Sequence, residues 1–427
     1  MNSLFDKKTY VFLFVGFFVL ETVLSVWTGM QYDMNIWFNT GKWMEQGINI
    51  YAPADHVGYL PLWPFWCGAA YRIYMSSANN MEVWRFTIKL PLILANLALA
   101  FAMGEYALTR FDLKIARKVF LFTLTGSFFI FIGAMWGQIN TLSALLTFLA
   151  FYALTRGKTN MSALLLGVAV TLKIYPLIAL PALFTYTLKN KGWRGAGRYV
   201  FITAVVPVVF TGVVFVAFQW DITDLFRTIF YWTPAYGTPT QIQGGAMNIW
   251  SFTSLLGADV SQMWVLRLVW IPLLAIAAIY WLRRPHVDEE TLCLSLISFY
   301  TLFMMTYSWV PEQTFVDLLP FVLLQILAFR PRKVYLYLLA ALQVLVYAFA
   351  AVDCGPFVFL PLLERYPDVL AAIQPFNPVQ NNAILVARGV LGFGVSVLLG
   401  IFLLVLAEPS LIDAVKRERK EMSANSA

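Results

Sequence analysis

Residues 32–63 read YDMNIWFNTGKWMEQGINIYAPADHVGYLPLW and lie between an apolar run at 10–27 and another at 86–108. An acid, Asp33, stands directly after the first run. From there the pattern is that of an amphipathic helix. Met34, Phe38, Gly41, Met44 and Ile48 fall on one side, and Asn35, Asn39, Lys42 and Glu45 on the other. The chain then turns through Tyr51-Ala-Pro53 and closes on Tyr59-Leu-Pro61-Leu-Trp63. A helix rich in Trp and Met and too polar to span lies flat in a membrane interface. This stretch is therefore expected to form an outer loop with interfacial helices, and to carry the chemistry.

The remainder of the chain supplies the membrane. Of 427 residues, 60% are hydrophobic and 12% charged, and the mean hydropathy is +0.70; a soluble domain of this size does not have such values. The expected fold class is an all-α polytopic membrane protein. Apolar runs of roughly 15 to 22 residues mark its spans. They fall at 10–27, 86–108, 119–133, 139–154, 199–218, 264–282, 292–307, 315–329, 334–352 and 383–407. No small-residue cleavage pattern accompanies the first, so it reads as a retained helix. The apolar stretch 162–188 is broken at Lys173-Ile-Tyr-Pro176. It reads as a helix going out and another returning, with Lys173 at the outer turn. Residues 60–74 contain Pro61 and Pro64 and would be only about 22 Å long as a helix, so they are not counted as a crossing. The sum is about 12 crossings.

Charge placement orients the bundle. If the loops carrying Lys7, Arg110, Arg156, Lys189, Arg283, Arg330 and Lys416 face the cytoplasm, 21 of the 30 basic residues lie there. Both termini are then inside. The net charge of +7 reflects topology, and no nucleic-acid partner is expected. Cys67, Cys293 and Cys354 make no C-x-x-C pair, and only His56 and His286 offer imidazoles. Neither a disulfide framework nor a histidine-based metal site is suggested. With no repeat or linker, 1–427 reads as one integral domain. It comprises the first outer loop at 29–85, core motifs up to 320, C-terminal helices at 321–407 and a cytoplasmic tail at 408–427.

Four motifs carry a family resemblance. They are Tyr32-Asp33-x-Asn35 with Gly47-x-x-x-Tyr51 and Tyr59-x-Pro61-Leu62; Gly137-Gln138-x-Asn140; Gly167-Val-Ala-Val-x-x-Lys173-Ile-Tyr-Pro176; and Glu312-Gln313-x-Phe315-Val-x-Leu-Leu-Pro320. In this order the chain resembles GT-C glycosyltransferases, and among them the polyprenyl-phosphate-mannose-dependent mannosyltransferases of the phosphatidylinositol mannoside and glycosylphosphatidylinositol types. The resemblance implies a GT-C-like bundle. It also implies an inverting transfer of a sugar, mannose in those families, from a polyprenyl or dolichyl phosphate to a hydroxyl of a lipid or glycan acceptor on the outer or lumenal face. The implied partners are that donor, that acceptor and membrane lipids, with room for a small membrane subunit. The anchor-pathway members carry D-x-D where this chain has Asn35, which weakens the case for a divalent metal. A transporter or flippase of lipid-linked saccharides, or a non-catalytic subunit, is the alternative; the outer clustering of polar residues and the lack of paired interrupted helices favour the enzyme.

Within that frame Asp33 is the candidate base. Transfer from a lipid phosphate needs one group to take the acceptor proton, because the phosphate leaves unaided; the competing reading is a helix N-cap. Lys173 is the first candidate for the donor phosphate, since an intramembrane cation costs about 2.5–3.5 kcal/mol on insertion scales unless something offsets it; snorkelling is the alternative for it. Lys89, in Lys89-Leu-Pro91 at the outer start of a span, is the second, as its resemblance to an Arg-Leu-Pro pattern in related enzymes implies. Asn35, His56, Tyr59, Gln138, Asn140, Tyr175, Asn248, Glu312 and Gln313 are candidates for sugar or acceptor contacts. For the amides the competing role is satisfying helix ends, for His56 simple solvation, and for Glu312 a helix-dipole contact. Glu21, inside the first run, either faces a cavity or pairs with another helix.

Overall fold

The computed structural model describes residues 4–52, 58–230, 246–251, 268–307, 310–353, 355–373 and 386–406. Helix dominates throughout, and no strand occurs among the described residues. Helix α1, Lys7–Trp27, starts where the Asp6 carboxylate accepts from the Thr9 backbone N–H at 2.9 Å. Its outward side chains are apolar, with Phe12 76% exposed, as is Val216 at 80% much later in the chain. Rows of exposed Phe, Val and Ile on helices of this length mark faces that lie against hydrocarbon. Seven helices among the described residues are long and apolar enough to cross a membrane, and three shorter apolar helices join them. A helix stands at each of the expected crossings, and the protein is a multi-pass integral membrane protein.

Helix α2, Gln31–Glu45, and α3, Leu62–Ser76, form a hairpin against α4, Met81–Arg110. The α3 indole of Trp66 donates to the Ile88 carbonyl of α4 at 3.2 Å. The buried stripe of α2 is Met34, Trp37, Thr40 and Gly41, turned about the helix axis from the one expected. Phe38 and Met44 are half-buried, and Ile48 lies beyond the helix, exposed. Trp37 accounts for the turn: its fully buried indole packs edge-on to Trp63 at 5.5 Å and on Tyr59 at 4.8 Å.

Helix α5, Leu113–Leu124, leads through the short α6, Ser127–Ile130, into a π-helical turn at Phe131–Trp136. Helices α7, Asn140–Thr155, and α8, Thr159–Leu172, follow. The predicted break is present: after α8 comes Lys173, then a 3₁₀ turn at Tyr175–Ala179 and α9, Leu180–Phe218. Gly192 interrupts α9 with φ 68° and ψ −176°, so α9 consists of two arms meeting in the basic segment expected to be a loop. Helix α10, Ile222–Phe230, sits on the α2–α3 turn, where Asn49 donates to Asp224 at 2.8 Å.

Polar contacts sort to the two ends of the bundle. At one end Arg110 pairs with Glu289, Arg330 with Glu290, and Arg110 also donates to the Thr155 carbonyl at 3.0 Å. These are loops assigned to the cytoplasmic side. At the other end lie the α1–α2 connection, the turn before α7 and the turn after α8. Between them Glu21 is fully buried and accepts from Asn96 of α4 at 2.8 Å, so it ties two helices together.

Candidate active site

The turn between the π-helical segment and α7 assembles the site. Gly137 ends that segment with φ 95°, a left-handed conformation that favours glycine. A Cβ on it would come within 2.5 Å of the Met34 methyl and 3.0 Å of Lys89 Cε. The missing side chain therefore lets the turn press directly onto the start of α2. From this turn Trp136, Gln138 and Asn140 each reach a different site residue.

Trp136 reaches Asp33. Its indole N–H donates to Asp33 Oδ2 at 2.6 Å, short for a nitrogen donor and expected when the acceptor is ionised. Asp33 lies in the first turn of α2, whose N-cap is Met30 with no side-chain cap bond. The N-cap role anticipated for Asp33 is thus corrected: the helix begins two residues before the acid, at Gln31. In the first turn the carboxylate is still favoured by the helix dipole.

Gln138 is fully buried, and its Oε1 accepts from the Tyr59 hydroxyl at 3.3 Å. Its Nε2 is buried with no hydrogen-bond partner among the described residues. An unmade donor in such a position costs on the order of 1–3 kcal/mol, so it is a group for which a bound hydroxyl would be favourable.

Asn140 is also fully buried. Its carbonyl accepts from Lys173 Nζ at 2.9 Å, and its amide N–H donates to Asp317 Oδ2 at 2.7 Å. Lys173 thus stands in the connection after α8, with its ammonium 4.9 Å from the Tyr175 ring and 5.7 Å from the Tyr59 ring. Burial pushes its pKa down to about 8, while the charges of Asp317 and Asp33 push it back up. Lys173 therefore feels the field of the α2 carboxylate. Tyr175 is half-buried and packs on Phe303 at 5.6 Å.

The six residues Asp33, Tyr59, Gln138, Asn140, Lys173 and Tyr175 are thus joined in one place. Others are not. Lys89 is fully buried, and its ammonium donates to the carbonyls of Ser25, Thr28 and Met135 at 3.0, 2.7 and 2.8 Å. All three of its N–H groups are spent on the end of α1 and the π-helical turn, leaving none for a phosphate. The phosphate role expected for Lys89 is corrected to a clasp on a helix C-terminus. Asn35 is exposed on the far side of α2. Asn248 donates to the Tyr307 carbonyl at 2.6 Å and accepts from the Trp250 backbone N–H at 3.0 Å, so it ties its own turn to the end of the helix Glu289–Thr306. Glu312 and Gln313 form a buried turn leading into the helix Phe315–Leu324. His56 lies outside the described residues. Among the described residues no group of three or more His, Cys, Asp or Glu comes together, and no residue is assigned to a metal.

Two members of the site were not anticipated. Trp136 reads from the sequence as one more interface aromatic. Asp317 is fully buried in the helix Phe315–Leu324 and accepts from Asn140 and, at 2.8 Å, from Ser143. Its signal was available: an acid inside an apolar run is a functional candidate by default.

Comparison with known proteins places the fold and the family. No curated protein matches the chain. Among solved structures it resembles the crystal structure of ArnT from Cupriavidus metallidurans bound to undecaprenyl phosphate. The match has a TM-score of 0.50 and 15% identity, and covers 93% of this chain and 77% of that one. At that identity the likeness concerns the fold. The family model for glycosyltransferase family 87 matches residues 85–308, just over half of the chain and including Trp136, Gln138, Asn140 and Lys173. The GT-C resemblance read from the sequence is borne out, and the chain belongs to glycosyltransferase family 87.

Proposed function

We propose that this glycosyltransferase moves a sugar from a polyprenyl-phosphate donor to an acceptor hydroxyl, with inversion, at the end of the bundle that holds Asp33 and Lys173. The observation that carries the reading is the single turn at Trp136–Asn140, which ties a carboxylate, an amide with an unmade donor and a buried ammonium together. Asp33, aimed by the Trp136 indole, takes the proton of the acceptor hydroxyl. The acceptor oxygen attacks the anomeric carbon, and the bond from that carbon to the phosphate oxygen breaks with its electron pair leaving on the lipid phosphate. Lys173 receives the charge of that phosphate. One of its N–H groups is held by Asn140, the Tyr59 and Tyr175 rings lie beside the ammonium, and the remaining hydrogen-bonding capacity of the cation suits an anion. Gln138 Nε2 and Tyr59 provide contacts for sugar hydroxyls. The fold shared with a protein crystallised with undecaprenyl phosphate supports a lipid-phosphate donor.

Mannose is the proposed sugar, on the motif resemblance, with a lipid or glycan hydroxyl as acceptor. The placement of basic residues at the opposite end supports a site facing outside or toward a lumen, with both termini cytoplasmic. The test is transfer by the purified protein in nanodiscs, supplied with polyprenyl-phosphate mannose, the glucose and arabinose analogues, and a panel of acceptor lipids. Release of polyprenyl phosphate with mannose on an acceptor is the expected result. Turnover with another sugar alone would overturn the mannose assignment, and donor binding without transfer to any acceptor would overturn the catalytic one.

A further inference from the structure

Behind Lys173 lies a second layer that the transfer chemistry leaves unexplained. Asp317 is fully buried inside an apolar helix, where an ionised carboxylate is costly unless it is hydrogen-bonded and paired. Two side chains one turn apart on α7 bind it, Asn140 at Oδ2 and Ser143 at Oδ1, at 2.7 and 2.8 Å. The Asn140 amide is thereby fixed in direction. Its N–H side points to the carboxylate and its carbonyl to Lys173, 2.9 Å away. Turning the amide over would set N–H against ammonium and carbonyl against carboxylate, two repulsive contacts in a low-dielectric interior. The charged groups within reach of Lys173 are Asp317 from this helix and Asp33 from α2, with the Tyr59 and Tyr175 rings beside it. Tyr300, from the helix Glu289–Thr306, lies within electrostatic reach of Asp317.

We propose that Asp317 is a positioning residue for the donor phosphate: through Asn140 it sets the direction of the Lys173 ammonium and keeps that ammonium charged in a buried place. The proposal rests on the assignment of Lys173 to the phosphate. Asp317 itself touches no substrate.

The test uses the full chain in nanodiscs and undecaprenyl phosphate as the probe, with affinity measured across pH 6 to 10. A lysine binds an anion while protonated, so affinity is retained below its pKa and lost as pH rises through it. In the native protein the loss is expected near pH 8, where burial and the two carboxylates together set Lys173. Asp317→Asn removes a charge that raises this value, so the midpoint moves down by about one unit and affinity above it falls by up to about tenfold. The swap N140D/D317N is the second variant. It keeps one carboxylate and one amide, restores every bond with the roles exchanged, and brings the charge next to Lys173. Its midpoint is expected to return to pH 8 or higher. An unmoved midpoint in Asp317→Asn, with Lys173→Met still abolishing the pH dependence, would overturn the role of Asp317 alone. A folded swap whose midpoint stays with that of Asp317→Asn would overturn it too, because the tie through Asn140 would then not be what matters. If Lys173→Met binds undecaprenyl phosphate as tightly as the native chain, the underlying phosphate assignment falls instead.

Discussion

Two lysines are buried near the same end of this bundle, and they do different work. Lys89 has three carbonyls for its three N–H groups; Lys173 has one amide oxygen and two aromatic rings. The first arrangement completes itself within the protein, holding the C-terminal carbonyls of α1 to the turn that carries Trp136. The second leaves cationic hydrogen-bonding capacity directed at a place where Asp33 is also felt. Burial alone therefore does not mark a functional cation. What separates the two is how many donors the fold has already satisfied.

That contrast is open to direct challenge. Lys89→Met leaves three buried carbonyls without their cation and should cost the most, about 3–5 kcal/mol in stability at about 1–3 kcal/mol for each buried acceptor left without a donor. A fall in the thermal midpoint, with undecaprenyl phosphate affinity preserved in whatever protein stays folded, is the expected outcome. Lys173→Met should act mainly on binding. The midpoint should fall less than in Lys89→Met, by the loss of one bond to Asn140 and of the cation near Asp317, while affinity for undecaprenyl phosphate drops by about ten- to a hundredfold, or about 1.4–2.8 kcal/mol. If both variants lost stability alike, the distinction would collapse. Gly137→Ala tests what joins the two regions. Forcing a side chain into a left-handed turn and against Met34 should cost about 1–2 kcal/mol and slow turnover by loosening the contact between Trp136 and Asp33. Tyr59→Phe removes one long hydrogen bond to Gln138 and should reduce turnover only a few-fold, on the order of 0.5–1 kcal/mol.

Much of this was legible in the sequence, for physical reasons that also set the limit. Hydrophobic runs report spans faithfully, because a segment in hydrocarbon must satisfy its backbone internally. The break at Lys173-Ile-Tyr-Pro176 was equally clear, since Pro176 cannot continue the ladder of α8. Asp33, Gln138, Asn140 and Lys173 stood out as polar residues at the ends of apolar runs. Lys89 stood out in the same way and was misread, because a sequence gives a cation's address and not the carbonyls that meet it there. The stripe of α2 was displaced for a similar reason: periodicity chose Phe38 and Met44, whereas the partners Tyr59 and Trp63 chose Trp37. Trp136 was hidden among aromatics of the interface belt. Asp317 occupies an unspecified position inside the motif that opens on Glu312 and Gln313, and the two polar residues at its start direct the reading to the turn.

The central claim is that the carboxylate of Asp33 takes the acceptor proton, and one comparison tests it most directly. Turnover of polyprenyl-phosphate mannose is measured in nanodiscs for the native chain and Asp33→Asn, with undecaprenyl phosphate affinity as a check on folding. Asparagine keeps an acceptor for the Trp136 indole but cannot take a proton. Affinity should therefore stay within a few-fold while the transfer rate falls by about 10²–10⁴. A variant that binds normally and transfers at the native rate would contradict the assignment.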